Sequence, residues 1–152
     1  MAGKVSPSVK GQFLDELHGN SNTLDLGIVY LAACLASSVP AVNANYYYTG
    51  FVEPGAGDGC GRECVGNYSQ SALKYFGNRT VDANGDVTES NTKEIKFDTY
   101  RGASAITVKY IALFNAASGG NCLMYYELDT PITLNPNELL VIPVGQATVK
   151  IS

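Results

Sequence analysis

Residues 104–152 repeat one unit: a stretch of strand length rich in apolar side chains, then a short segment of turn residues. Strand patterns cover 105–114, 122–128, 131–134, 139–144 and 147–151. The turns between them include 115–121 (Asn-Ala-Ala-Ser-Gly-Gly-Asn) and 135–138 (Asn-Pro-Asn-Glu). Short strands at this spacing bury one face and must find a second layer to bury it against. The pattern predicts an all-β fold, a Greek-key or jelly-roll-like β-sandwich.

Upstream, residues 27–35 (Gly-Ile-Val-Tyr-Leu-Ala-Ala-Cys-Leu) form a continuous apolar run of strand length, as expected of a central strand covered on both faces. Asn84-Gly85 marks a tight hairpin turn between 79–83 and 86–88. Residues 93–98 alternate, with Ile95 and Phe97 facing inward, and 68–76 reads as a strand anchored by Tyr68, Leu73 and Tyr75. The total is about eight strands. One short N-terminal amphipathic helix precedes them. Ser6 is its N-cap and Pro7 its first residue, Val9, Phe13, Leu14 and Leu17 share a face, and Gly19 ends it after His18. Residues 1–8 read as a flexible arm and 9–152 as a single sandwich domain.

Residues 43–66 break the strand pattern. They hold Tyr46, Tyr47, Tyr48, Pro54 and a series of glycines, and read as a long irregular loop. Loops of this length in a compact domain are commonly functional. Adjacent tyrosines offer large contact area at low entropic cost. Val5 and Pro7 of the arm, with Tyr46, Tyr47 and Tyr48, are therefore the candidate interface residues.

Charged residues make up 16% of the chain, below the roughly 25% usual for soluble domains. A surface this poor in charge is suited to burial against other subunits. The net charge is −4, and the Lys and Arg residues are scattered rather than clustered, which argues against direct nucleic-acid binding. No stretch approaches the ~20 apolar residues that span a bilayer, so no membrane partner is expected. The N-terminus lacks the apolar segment of a signal peptide, which predicts synthesis and assembly in a cytoplasm.

Nothing in the sequence assembles a catalytic set, a cofactor site or a metal site. The single histidine, His18, is accounted for as a cation at a helix C-terminus. Asp82, Asn84 and Asp86 alternate like calcium ligands, but Val87 and Lys93 occupy the positions where an EF-hand needs Gly and Glu. Cys34 and Cys122 lie in apolar strands and read as small buried hydrophobes. Cys60 and Cys64, four apart on a Gly-rich segment, are candidates for a disulfide, within one chain or between two. The sequons at Asn67 and Asn78 come with no secretory signal and are read as chance matches.

The series of segments resembles small structural proteins of tailed-bacteriophage virions, of the head decoration (cement) or tail-fibre-like kind. The likeness is carried by the N-terminal helix, the strand 27–35 running into its loop, and Gly66-Asn-Tyr-Ser-Gln70 with 71–76. It is strongest over 106–120 (Ile-Thr-Val-Lys-Tyr-Ile-Ala-Leu-Phe-Asn-Ala-Ala-Ser-Gly-Gly), continuing through 121–128 to the final strands. The chain departs from the pattern in its enlarged 43–64 loop and in Gln70, where an arginine is family-like. The resemblance implies a non-enzymatic virion protein, assembled in the bacterial host cytoplasm, that binds the major capsid protein or other virion proteins and forms a homo-oligomer such as a trimer. The first expectation is a capsid decoration or cement protein. Alternatives are a tail, neck or fibre protein, and, from a different class, a carbohydrate-binding β-sandwich module that stacks sugars on its tyrosines.

Overall fold

The computed structural model describes residues 3–17, 27–67 and 70–151. Among these the strands are β1 (Gly3–Val5), β2 (Ile28–Leu35), β3 (Ala41–Val42), β4 (Tyr48–Thr49), β5 (Glu63–Asn67), β6 (Phe76–Val81), β7 (Val87–Asn91), β8 (Ile95–Lys96), β9 (Ile106–Phe114), β10 (Cys122–Leu134), β11 (Val141–Ile142) and β12 (Thr148–Ile151). Helix α1 (Pro7–Leu17) follows β1.

The largest sheet has seven strands, in the order β3-β4-β10-β9-β2-β5, with β1 also paired to β10. Two smaller sheets, β11-β8 and β12-β7-β6, complete the fold, and every pairing is antiparallel. The small sheets supply Ile95 and Ile142, and the segments beside them supply Phe97, Leu140 and Ala147. These pack against Leu31, Ala33, Val108, Ile111, Met124 and Tyr126 of the large sheet. The result is the expected all-β sandwich with one N-terminal helix, in which the hairpin pairs β3-β4, β6-β7 and β9-β10 are joined by pairings between distant strands such as β2-β9, β4-β10 and β7-β12.

Strand β2 shows why its sequence is apolar throughout. Leu31 and Ala33 enter the inter-sheet core, while Ala32 and Cys34 enter a second apolar cluster on the opposite face. All four are at most 1% exposed, so alternation along the strand feeds two cores rather than core and solvent.

Local chemistry accounts for the element ends. The Ser6 hydroxyl accepts a hydrogen bond from Val9 N at 3.4 Å, and the helix begins at Pro7 as the capping pattern predicts. The side chains of Phe13, Leu14 and Leu17, and all of His18 and Gly19, lie outside the described residues, as do Tyr68 and Ser69. Between β6 and β7, Asp82 Oδ1 accepts from Asn84 N (2.8 Å) and Asp86 N (3.1 Å), and Gly85 sits at φ +84°. The acidic residues of that segment close a hairpin turn.

Four expectations about local structure need correction. Gly3–Val5, assigned to a flexible arm, pairs with Met124–Tyr126 of β10, and Ser6 N donates to Leu123 O at 2.7 Å. Alternation is too short to detect in three residues. The two strands expected at 122–128 and 131–134 are one strand, β10, whose register with β9 slips between Glu127 and Ile132. Pro131 falls in that slip, where no ladder bond is required of it. The strand expected over 68–76 is, in its described part, a short 3-10 turn (Ser71–Leu73) before β6. The loop expected over 43–66 contains β4 and most of β5, because Tyr48 finds a partner in Cys122 and Glu63–Asn67 finds one in β2.

Candidate interaction face

The second cluster lies on the side of the large sheet away from the small ones. Ala32, Cys34, Tyr110, Ala112, Phe114, Cys122 and Tyr125 form it, and Tyr48 and Phe51 lie over it. Tyr48 meets Tyr125 edge to face (centroids 4.8 Å apart at 89°), Phe51 meets Tyr110 likewise (6.1 Å, 73°), and Phe51 lies tilted on Tyr125 (5.3 Å, 56°). Aromatic pairs favour this geometry because the positive ring edge meets the negative face. Residues 48–51 are therefore a lid over a second core rather than part of a free excursion.

Backbone constraints set the path of the lid. Gly50 has φ +84°, and a Cβ there would sit 2.0 Å from the Val39 carbonyl oxygen, so only glycine fits. Gly59 (φ +75°) has the same relation to Thr99 O, at 1.9 Å.

Arg62 ties the lid down. Its Nε and Nη2 donate to the two carboxylate oxygens of Glu53 at 3.0 and 2.7 Å. Its Nη1 donates to the carbonyls of Ala116 (2.6 Å) and Gly119 (2.8 Å) in the β9–β10 loop, and the guanidinium carbon lies 3.6 Å from the Phe114 ring centroid. The Arg62 side chain is 7% exposed. A planar cation of this kind can clamp a carboxylate, cap two carbonyls and stack on an aromatic face at once. No local pattern marks Arg62 in the sequence, where an arginine on a Gly-rich segment reads as solvated.

The five candidate interface residues converge. Ser8 N donates to Tyr46 O (3.1 Å), Gln12 Nε2 to Tyr47 Oη (2.7 Å) and Tyr48 Oη to Val5 O (3.5 Å). The N-terminal segment and the tyrosine segment thus form one surface. Within it the residues differ: Pro7 is exposed and Tyr46 is 66% exposed at φ +63°, whereas Val5, Tyr47 and Tyr48 are half-buried. The β3–β4 ribbon beside them exposes Val39 (74%) and Val42 (49%). No Asp, Glu, Lys or Arg occurs from Gly27 to Val52 or from Tyr110 to Tyr126, so the charges on this side come from other segments, among them Lys4, 5.5 Å from the Tyr125 ring, and the Arg62–Glu53 pair.

All four cysteines are free thiols. Cys60 and Cys64 are not bonded to each other: Cys60 is 2% exposed in the inter-sheet core, and Cys64 lies on β5 opposite Tyr30. Burial pushes the Cys60 thiol up to about 11 and Cys122 up to about 12, and raises Cys34 further. Among the described residues, no three His, Cys, Asp or Glu side chains are grouped as metal ligands would be.

Asn91 is a residue that sequence reasoning missed. It is fully buried: its Nδ2 donates to Lys93 O and Pro143 O (2.8 and 2.9 Å), and its Oδ1 accepts from Ala147 N (2.9 Å). It fastens β7 to the chain between β11 and β12.

No curated protein matches the sequence. The model of the family described as Podophage GP4 fiber I protein gp80 matches residues 9–150, both faces of the large sheet included. Its extent supports the structural-protein reading that the strand series and the charge-poor face suggested, and the chain belongs to this family of phage fibre proteins.

Proposed function

We propose that this protein is a structural subunit of a virion fibre, held to its neighbours in the particle through the charge-poor surface formed by Pro7, Val39, Val42 and Tyr46. The observation that carries the reading is the fibre-family match over nearly the whole chain. It favours the fibre alternative over the capsid-decoration role expected first. The surface suits permanent assembly because exposed valines and a tyrosine, with no charge among them, lose little solvation on burial. Its neighbours are further copies of the chain or other virion proteins.

Cryo-electron microscopy of intact virions tests this. The reading expects density for the β-sandwich on fibres of the particle at low copy number. Density spread over the capsid lattice would overturn it in favour of decoration. A Val42→Glu virion should lose the protein from the particle while the purified variant stays folded.

A further inference from the structure

A second apolar feature lies away from the surface formed by Val39, Val42 and Tyr46. It is an open depression of about 270 Å³ between the register slip of β10 and strand β11, lined mainly by Leu128, Ile132, Leu140, Val141 and Pro143. Leu139 and Val144, on either side of β11, are exposed. The surface and the depression sit at opposite halves of β10: Tyr48 pairs with Cys122 at its start, and the depression begins at Leu128. At about 3.3 Å per residue they are roughly 20 Å apart along the strand. One molecule cannot bring them together, but two can.

Backbone and charge make the two complementary. Asn43 N donates to Tyr47 O (2.9 Å) and Ala41 pairs with Thr49, so strand alternation turns the N–H and C=O of Val42 away from β4. Phe97 N donates to Leu140 O (3.0 Å) and Ile142 pairs with Ile95, so Val141 likewise turns its N–H and C=O away from β8. Among the described residues β3 and β11 each pair with one strand only, so each presents an open edge. On the ribbon side, exposed Lys4 lies by the Tyr125 ring and has no carboxylate partner among the described residues. Beside the depression, Lys96 and Lys109 are each bound to a glutamate (Glu94 at 2.9 Å, Glu127 at 3.2 Å), which leaves exposed Asp129 and Glu138 without a cation. An apolar ribbon with a free lysine thus matches an apolar hollow with two free carboxylates at its rim.

We infer that copies of this chain join head to tail, the β3–β4 ribbon of one seated in the β10–β11 depression of the next. Val42 exchanges backbone hydrogen bonds with Val141 of the next copy, and the side chains of Val39 and Val42 enter the hollow. Such a contact joins two different patches. Each added copy therefore leaves one ribbon and one hollow free, and assembly continues as a filament or closes as a ring instead of stopping at a dimer. The inference rests on the reading of the charge-poor surface as an assembly face and names what that face takes, a second copy of this chain.

Sedimentation velocity of the purified full-length chain tests this over a concentration series reaching about 1 mM, where even contacts of millimolar Kd are populated. Species that grow past the dimer with concentration are expected. Val42→Glu and Ile132→Glu, both at exposed side chains, should each weaken association by roughly ten-fold or more with the melting temperature unchanged. If Ile132→Glu does not fold, Thr130→Arg on the same rim replaces it. Mixed in equal amounts, the two variants should form a heterodimer and nothing larger, because the intact ribbon of one enters the intact hollow of the other. A chain that is monomeric throughout, association that stops at a dimer, or a variant mixture that stays monomeric would each overturn the inference. None of these would move the protein off the fibre, which the virion density decides separately.

Discussion

Replacing Arg62 with methionine tests whether the lid over the second core is clamped as its geometry indicates. Methionine keeps most of the aliphatic stem and removes the guanidinium together with its stacking on Phe114. Four donor contacts vanish: two to Glu53 and one each to Ala116 and Gly119. Breaking one side of a buried ion pair costs about 3–5 kcal/mol, because the remaining charge is left without a partner. Glu53 is 33% exposed, so water recovers part of that cost, and the Gly119 carbonyl is at an exposed site. The net loss expected is about 3 kcal/mol, which for a domain of this size lowers Tm by roughly 6–12 °C. Urea unfolding followed by tyrosine fluorescence measures it directly. Adding Glu53→Gln should recover some of the loss, since the unpaired carboxylate is then gone, and the double-mutant cycle should show coupling of about 1–2 kcal/mol. A single-variant loss below about 1 kcal/mol, or additivity of the two substitutions, would refute the clamp.

Other expectations follow from the buried groups. The Tyr126 hydroxyl is fully buried with no hydrogen-bond partner among the described residues, so Tyr126→Phe should raise stability by about 1 kcal/mol; an equal loss would show that the hydroxyl is satisfied after all. Native titration with Ellman's reagent should show one fast thiol, Cys64, abolished by Cys64→Ser, with Cys34, Cys60 and Cys122 reacting only after unfolding. Fast reaction of a second thiol would contradict the burial described. Burial, with a smaller contribution from Asp98, raises the Glu63 carboxyl above its ordinary value of 4.5. The folded protein thus holds this proton more tightly than the unfolded chain. That stabilising contribution is complete below the ordinary value and is lost as pH rises through the raised one. Glu63→Gln should therefore be more stable than the parent near about pH 7, with the advantage shrinking toward about pH 4 in urea midpoints. An advantage independent of pH would show that the carboxyl is not perturbed in the fold.

Much of the fold was legible because its signals are local. The capping Ser6-Pro7 pair, the Asn84-Gly85 turn, the apolar run of β2 and the alternation around Ile95 and Phe97 are each written within a few residues. The sandwich follows from them, since strands with one apolar face need a second layer. The candidate surface was legible only in part. Tyrosines and a low charge content pointed to residues 46–48, but sequence could not tell which ring is free. Tyr46 is exposed, whereas Tyr48 is held against Tyr125 because Tyr48 pairs across the sheet with Cys122, 74 positions later in the chain.

What the amino-acid sequence determined by itself was the all-β class, the helix at the N-terminus and a low content of charge with its cations scattered along the chain. Tertiary structure alone decided that the large sheet has two cores, that Gly3–Val5 belongs to it, and that Arg62 and Glu53 join the lid to the β9–β10 loop. The physical reason is that periodicity reports which side of a strand is apolar, not what covers it. Covering is settled by pairings between residues far apart in the chain, and only the folded protein brings Arg62, Glu53 and Phe114 within reach of one another.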